Sequence, residues 1–278
     1  MVSFWRRFLE LPSAVFGLVV VILAVLMALG ANYITPYDPN SFSPGVVQPP
    51  SWEHWMGTDH QGRDVLSRVI VGIQAAMLVG LVSSGIAAVV GIVFGAVSGY
   101  FGGWVDDLLS RITDIFLLIP VFFLLIVTTA LFQSSLVIIM VAIGLTNWPY
   151  NARIMRSQVL SLRRRPFVLA SVAAGASPLR ILWSHIVPNG ISPVISNTGL
   201  RIAAAIMTEA GLSFLGLGDP NVITWGQMIQ ASQRYISSGW WAAVFPGLAL
   251  VILVCAFNFI GDGMEHALNP RSTRGARK

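Results

Sequence analysis

Four histidines, one cysteine and a handful of charged residues in apolar surroundings are the side chains of this 278-residue chain that could do chemistry. His54, His60, His185 and His266 are scattered, with no HExxH spacing and no His–carboxylate cluster, so a catalytic metal is not expected. Cys255 sits in an apolar run without a second cysteine, which excludes a disulfide or a Cys metal cluster and leaves packing. No nucleophile, base and metal ligands converge as an enzyme would need. The phosphate-cradling pattern GxxxxGK[ST] does not occur, so the chain is expected to hold no nucleotide or other cofactor of its own.

What remains is charge in two places. Asp59, Arg63, Asp64 and Arg68 fall within ten positions, with Asp64 and Arg68 four apart at a helix start that Thr58 or Asp59 would cap. Their plain reading is an exposed ion pair worth about a few tenths of a kcal/mol. The other is docking of an external protein, for which a segment with Pro36, Pro39, Pro44, Pro49 and Pro50 offers room. Arg201 and Glu209 lie in an otherwise apolar stretch, about 80° apart around a helix at 100° per residue, so they need not pair. Such charges face protein or water, not lipid. With Asn197 and Thr208 beside them, contact with a partner subunit and a place on a solute pathway are both open.

The elements that position these residues follow from hydropathy. The chain is 55% hydrophobic and 10% charged, with mean hydropathy +0.74, whereas soluble domains carry roughly a quarter charged residues. It belongs in lipid. At about 20 apolar residues per crossing, six spans are expected, near 14–31, 70–99, 115–132, 136–148, 191–212 and 242–260. Glycines 72, 80, 85, 91 and 95 let other helices approach the second, a polar hinge at 133–135 separates the third from the fourth, and Gly261-Asp262 ends the sixth. The first span exceeds a signal-peptide core, so it is read as retained.

The net charge of +5 and pI near 10.0 follow this topology and not a nucleic-acid-binding face. Arg6, Arg7, Arg111, Arg153, Arg156, Arg163, Arg164, Arg165, Arg180, Arg271, Arg274, Arg277 and Lys278 fall on one side, and Arg63, Arg68 and Arg234 on the other. The positive-inside rule makes the first side cytoplasmic, with both termini and the loop 151–190. Segments 33–69 and 213–240 then face outward.

The loop 151–190 is too long for a plain helix connection. Pro166 suits a first helical turn, Gly175 a left-handed residue after a helix end, and Ser177-Pro178 a cap and second start that Pro188-Asn189-Gly190 would stop. The result is a helix, a Gly turn and a helix, with Ala170, Ser171, Ala173, Ala174, Gly175 and Ala176 small, and Leu179, Ile181, Leu182 and Ile186 apolar. It either packs on its own bundle or lets another protein's backbone come close.

The segment from Phe167 to Ser177, continuing to Ile186-Val187-Pro188-Asn189, resembles the EAA loop of bacterial ABC-importer permeases, with Gly175 and Pro188 in place. Leu169 stands where that motif has Glu and Ser171 where it has its second Ala, so the motif's acidic contact is absent. Gly57-Thr58-Asp59-His60-Gln61-Gly62-Arg63-Asp64-Val65-Leu66-Ser67-Arg68, Glu209-Ala210-Gly211-Leu212-Ser213-Phe214-Leu215-Gly216-Leu217-Gly218 with Trp225-Gly226-Gln227-Met228-Ile229, and Phe245-Pro246-Gly247 through Asn269-Pro270-Arg271 are similar to motifs of the dipeptide, oligopeptide and nickel group, in its order.

The resemblance implies an all-α polytopic membrane bundle of the type I importer class. It further implies an inner-membrane permease subunit, the second of its pair, for peptides or another small solute such as nickel or a metal chelate. Partners implied are a second permease, two ATPase subunits that bind ATP and Mg, and an extracytoplasmic solute-binding protein. Leu169, Ala170, Ser171, Ala174, Gly175, Ala176, Ser177, Pro178, Leu179, Arg180 and Ile181 would form the loop that couples to the ATPase. Residues 1–69 would carry the first span and outer loop, 70–262 the transmembrane domain, and 263–278 a basic tail. A secondary transporter or channel subunit is the competing reading, though no repeated halves with broken helices appear.

Overall fold

The computed structural model describes residues 2–42, 45–132 and 134–268. Pro44, Gln133 of the expected hinge, and the basic tail with Asn269, Pro270, Arg271, Arg274, Arg277 and Lys278 lie outside the described residues. The described elements are helical: α1 (Val2–Leu9), α2 (Pro12–Ile34), α3 (Val65–Phe101), α4 (Gly103–Leu118), α5 (Val121–Phe132), α6 (Leu136–Leu162), α7 (Pro166–Ala173), α8 (Pro178–Arg180), a π-helical turn (Ile181–Ile186), α9 (Val187–Gly190), α10 (Ser192–Phe214), α11 (Trp225–Ser232) and α12 (Trp241–Leu268). The all-α bundle expected from the sequence is present. Three helices, α2, α3 and α12, are each long and apolar enough to cross a membrane, and the pair α4–α5 makes a fourth if its two pieces are one span.

The helix directions follow from who meets whom. Ser83 Oγ donates to Met140 O, and Gly91, Gly95 and Gly99 abut Asn151, Ala152 and Val159, so α3 and α6 run parallel. Since Ser83 lies level with Met140, Leu136 lies level with about Val79, and the chain must travel back from Phe101 along the length of the 22 residues of α3 between them, about 33 Å at 1.5 Å per residue, close to the about 30 Å of a hydrocarbon core. The α4–α5 pair makes that return. In α10, Asn197 meets Asn151, while Ile206 meets Gly80, so α10 is antiparallel to α3. Gly17 abuts Ala256 and Ala14 abuts Gly263, so α12 is antiparallel to α2; Gly199 meets Gly261 while Trp241, at the start of α12, reaches Thr58 at the end where α10 finishes, so α12 is antiparallel to α10 as well. One end of the bundle thus gathers Asp59 and α11, the other the α7–α9 segment, here termed the Asp59 end and the Gly175 end.

Several expected boundaries shift, each for a local reason. The third span is not one helix over 115–132: α4 and α5 bend by 82° at Ile119-Pro120, because Pro120 has no N–H to give and holds Ile119 extended (φ −79°, ψ 124°). The fourth does not end at Trp148. It continues through Pro149 to Leu162, so Arg153 and Arg156 lie on α6 instead of in a loop. Both are held there by carboxylates of α4: Arg153 Nη2 donates to Asp114 Oδ1 at 2.7 Å, and Arg156 binds Asp106 through Nε and Nη2, each at 2.6 Å.

The sixth helix runs past Gly261-Asp262 to Leu268. Its glycines are places of close approach, to Leu200 at Gly261 and to Ala14 and Phe8 at Gly263, not terminators. Of the expected approach glycines in α3, Gly85 alone faces open space.

Candidate functional site

The segment after α6 is built as its punctuation predicts. Pro166 occupies the first turn of α7, whose N–H groups are unpaired in any helix. After Ala174 the chain turns at Gly175, φ +75°. Gly175 N donates to Val172 O at 3.0 Å and Ala176 N to Ser171 O at 3.1 Å, the paired bonds of a Schellman ending. Ser177 adopts the extended N-cap conformation and Pro178 opens α8, although the Ser177 hydroxyl makes no capping bond.

Pro188 does not stop the second helix. The ring would collide with the carbonyl four residues back in a regular helix. The π turn over Ile181–Ile186 widens the backbone just before it, Val187 N reaching Leu182 O, and α9 continues into α10.

This hairpin has two faces. Val168, Ile181, Leu182 and Ile186 are at most 2% exposed and pack with Ala96, Met155, Val159 and Val194, fastening it to α3, α6 and α10. Leu169, Val172 and Leu179 are 54–60% exposed on the other side. Ala170, Ala174, Gly175, Ser177, Pro178 and Arg180 share that exposure, while Ser171 and Ala176 are half-buried. Leu179 thus lies on the exposed face, apart from Ile181, Leu182 and Ile186. Surface groups of apolar residues like these mark contact sites when they are contiguous.

The intrahelical charges of α10 separate as their angular offset implied. Arg201 stacks on the Tyr150 ring of α6, 3.8 Å from its centroid. Asn197 Nδ2 donates to Asn151 Oδ1 at 2.8 Å. Thr208 is spent on Ala204 O of its own helix, and the buried Glu209 accepts from Ser213 Oγ at 2.5 Å. Asn151 and Tyr150 were missed in the sequence. An Asn and a Tyr flanking Trp148-Pro149 in an apolar helix were the available signal, since amides in a span must be paired.

At the Asp59 end the expected exposed pair does not exist. Asp64 and Arg68 are 3% and 7% exposed, and their side chains pair elsewhere, Asp64 with His54 and Arg68 with Asp59. Asp64 is itself the cap of α3, accepting from Ser67 N at 2.8 Å, and its other oxygen meets His54 Nδ1 at 2.9 Å, a His–carboxylate contact that spacing had not suggested. Asp59 binds Arg63 Nε at 2.7 Å and lies 4.0 Å from Arg68 Nε, while Arg68 Nη1 braces Pro39 O at 2.9 Å. The 57–68 segment is pinned at the start of α3 by Trp241 Nε1, which donates to Thr58 O, while Trp225 Nε1 of α11 donates to Val69 O, each at 3.0 Å. Burial lowers the pKa of His60, stacked on Tyr235, against the pull of Asp59.

The chain is thus an α-helical membrane bundle with a two-helix hairpin at one end and a folded polar cap at the other. Residues 91–274 match the family described as binding-protein-dependent transport system inner membrane component, and residues 1–50 the N-terminal TM domain of oligopeptide transport permease C. The chain belongs to this binding-protein-dependent permease family.

Among its relatives are the dipeptide transport permease DppC of Alkalihalophilus pseudofirmus, 38% identical over 97% of this chain and 91% of that protein, and the oligopeptide permease OppC of Bacillus subtilis, 35% identical over 97% and 90%. The glutathione transport permease GsiD of Pectobacterium atrosepticum is 34% identical over 97% and 90%. An inward-facing structure of the MetNI methionine ABC transporter shares the fold at TM-score 0.56, with 22% identity over 70% of this chain and 93% of that one.

Proposed function

We propose that this chain is one half of the membrane pathway of an ATP-driven importer of di- or oligopeptides. It pairs with a second permease, works with two ATPase subunits that bind ATP and Mg, and receives solute from an extracytoplasmic binding protein. The observation that carries this reading is the hairpin at the Gly175 end. It is fastened to the bundle on one face and offers Leu169, Val172 and Leu179 on the other, so a partner that moves the hairpin moves α3, α6 and α10 with it. ATP binding and hydrolysis in that partner would supply the differential affinity that shifts the bundle between two states. The relatives' names favour a peptide as solute over nickel or a metal chelate.

The test is uptake by a strain lacking this gene. A labelled dipeptide should cease to enter, and the purified chain should turn over no ATP until the ATPase subunits join it. Uptake unchanged by the deletion, or turnover by the chain alone, would defeat the reading.

The orientation belongs to the same proposal: six crossings, both termini and the Gly175 end in the cytoplasm, the Asp59 end outside. It is supported by the alternating helix directions and by the gathering of Arg163, Arg164, Arg165 and Arg180 at the Gly175 end. In a Cys255→Ser background, a membrane-impermeant thiol reagent added to intact spheroplasts should modify a cysteine at Ser41 and spare one at Ser177. The reverse pattern overturns the orientation.

A further inference from the structure

At the Asp59 end, a cavity of about 400 Å³ opens between the 57–68 segment, the end of α10 and α11. That volume lies within the range of small-ligand pockets. Its lining includes Asp59, Arg63, Arg68, Ser213, Gln227 and Gln230.

The charge of this lining does not cancel. Two guanidiniums face it, and among the described residues Asp59 is the one carboxylate on its wall. Asp59 is also fully used: Oδ1 takes the N–H groups of Gln61 and Arg63, and Oδ2 takes Arg63 Nε. Arg68 is more than nine-tenths buried, spends Nη1 on Pro39 O, and leaves Nε with no acceptor within hydrogen-bond reach. That Nε is closed off from the cavity and faces Asp59 Oδ2 at 4.0 Å, so Asp59 offsets part of the Arg68 charge while its hydrogen bonds go to Gln61 and Arg63, and two guanidiniums against one carboxylate leave the wall net positive. Glu209 is not among the lining residues, and its carboxylate accepts from Ser213 Oγ. The rest of the wall mixes the amides of Gln61, Gln227 and Gln230 and the hydroxyls of Ser213 and Ser232 with apolar Val65 and Met228, a lining that suits a short peptide's backbone and small side chains.

We infer that this cavity is a binding site for a carboxylate, and specifically for the C-terminal carboxylate of a small peptide. The assignment rests on the importer reading for its biological sense, since only an outward-facing cavity would meet incoming solute.

The test uses the assembled transporter in nanodiscs and two uncharged-amine probes, N-acetyl-dialanine and its C-terminal amide, titrated calorimetrically. The acid should bind at least about tenfold more tightly than the amide, the size of a charge-assisted hydrogen bond. Arg68→Lys should remove most of that preference. Because a change at Arg68 also removes the brace on Pro39, the exposed rim residue supplies an independent arm: Gln230→Glu should weaken acid binding several-fold, Gln230→Lys should strengthen it, and neither should alter amide binding.

Equal binding of acid and amide, or no binding of either, overturns the inference. If both probes fail to bind but Gln230→Glu weakens docking of the solute-binding protein, the cavity takes an acidic side chain of that protein, and the assignment to solute is wrong. Normal peptide uptake without acid binding sinks only the cavity. Acid binding in a chain whose deletion leaves uptake intact sinks only the importer reading.

Discussion

Gly175→Val is expected to abolish peptide uptake while the protein remains in the membrane at nearly normal abundance. Gly175 holds φ +75°, where a β-branched side chain is a genuine outlier. Holding valine there costs about 1–3 kcal/mol, and the cheaper course is to abandon the turn. Nothing lies within 4 Å of the position a Cβ would take, so the penalty is conformational and not a clash. That distinction shapes the series: Gly175→Asn, whose side chain tolerates the left-handed region, should retain most uptake, Gly175→Ala should fall between, and Gly175→Val should be lowest.

Losing the turn breaks the bonds from Gly175 to Val172 and from Ala176 to Ser171, and with them the angle between α7 and α8. Val168, Ile181, Leu182 and Ile186 still anchor each half to the bundle, so insertion is spared. The damage falls on the exposed face with Leu169, Val172 and Leu179. The measurements are uptake of a labelled dipeptide, membrane abundance, and ATPase subunits recovered with the tagged chain. A valine variant that transports at the normal rate refutes the role proposed for the hairpin.

The hairpin was legible in the sequence because its determinants are local. Pro166, Gly175 and Ser177-Pro178 each act within a few residues of themselves, and the apolar lengths of α2, α3 and α12 are equally self-contained. The separation of Arg201 from Glu209 was readable for the same reason, as an angle on one helix. Apart from Pro188, which the π turn just before it accommodates, expectations failed mostly where a distant residue decides.

Asp64 and Arg68 read as a surface pair because their spacing suits one. Trp241, 183 residues from Thr58, pins the loop that buries them, and Pro39 takes the Arg68 donor. Helix α6 outruns Pro149 because Asp106 and Asp114, 50 and 39 residues upstream of their partners, secure Arg156 and Arg153. Its N-terminus is likewise finished from afar, by Asp219 Oδ2 accepting from Leu136 N at 3.0 Å. The α4–α5 bend is different in kind: Pro120 announced it, but an uncharged run counted by length alone hides a proline break.

Gly95→Leu is expected to have the opposite signature, loss of the protein itself. Gly91, Gly95 and Gly99 recur every four residues on α3 and form the seam against α6. A Cβ at Gly95 would lie inside van der Waals contact of Ala152 O, with Met155 Cβ at 2.8 Å and Arg156 N at 2.9 Å. These are mostly backbone atoms of a neighbouring helix, which cannot rotate away as a side-chain tip can. Even Gly95→Ala should cost about 1–3 kcal/mol of overpacking, and leucine more. Relief requires α3 and α6 to separate, which also pulls Arg156 from Asp106 and exposes Met155 and Val159 beneath the hairpin.

Gly85 is the internal control, on the same helix but facing open space. Membrane abundance and the thermal midpoint of the purified transporter should drop for Gly95→Ala and collapse for Gly95→Leu, with Gly85→Ala unchanged. Equal midpoints for the alanine variants at positions 85 and 95 would show that the seam does not hold α3 to α6. Because the strain at Gly95 acts on the bundle, overexpressing the ATPase subunits should not restore uptake, whereas partial rescue of Gly175→Ala by the same overexpression is expected if its defect is weakened docking.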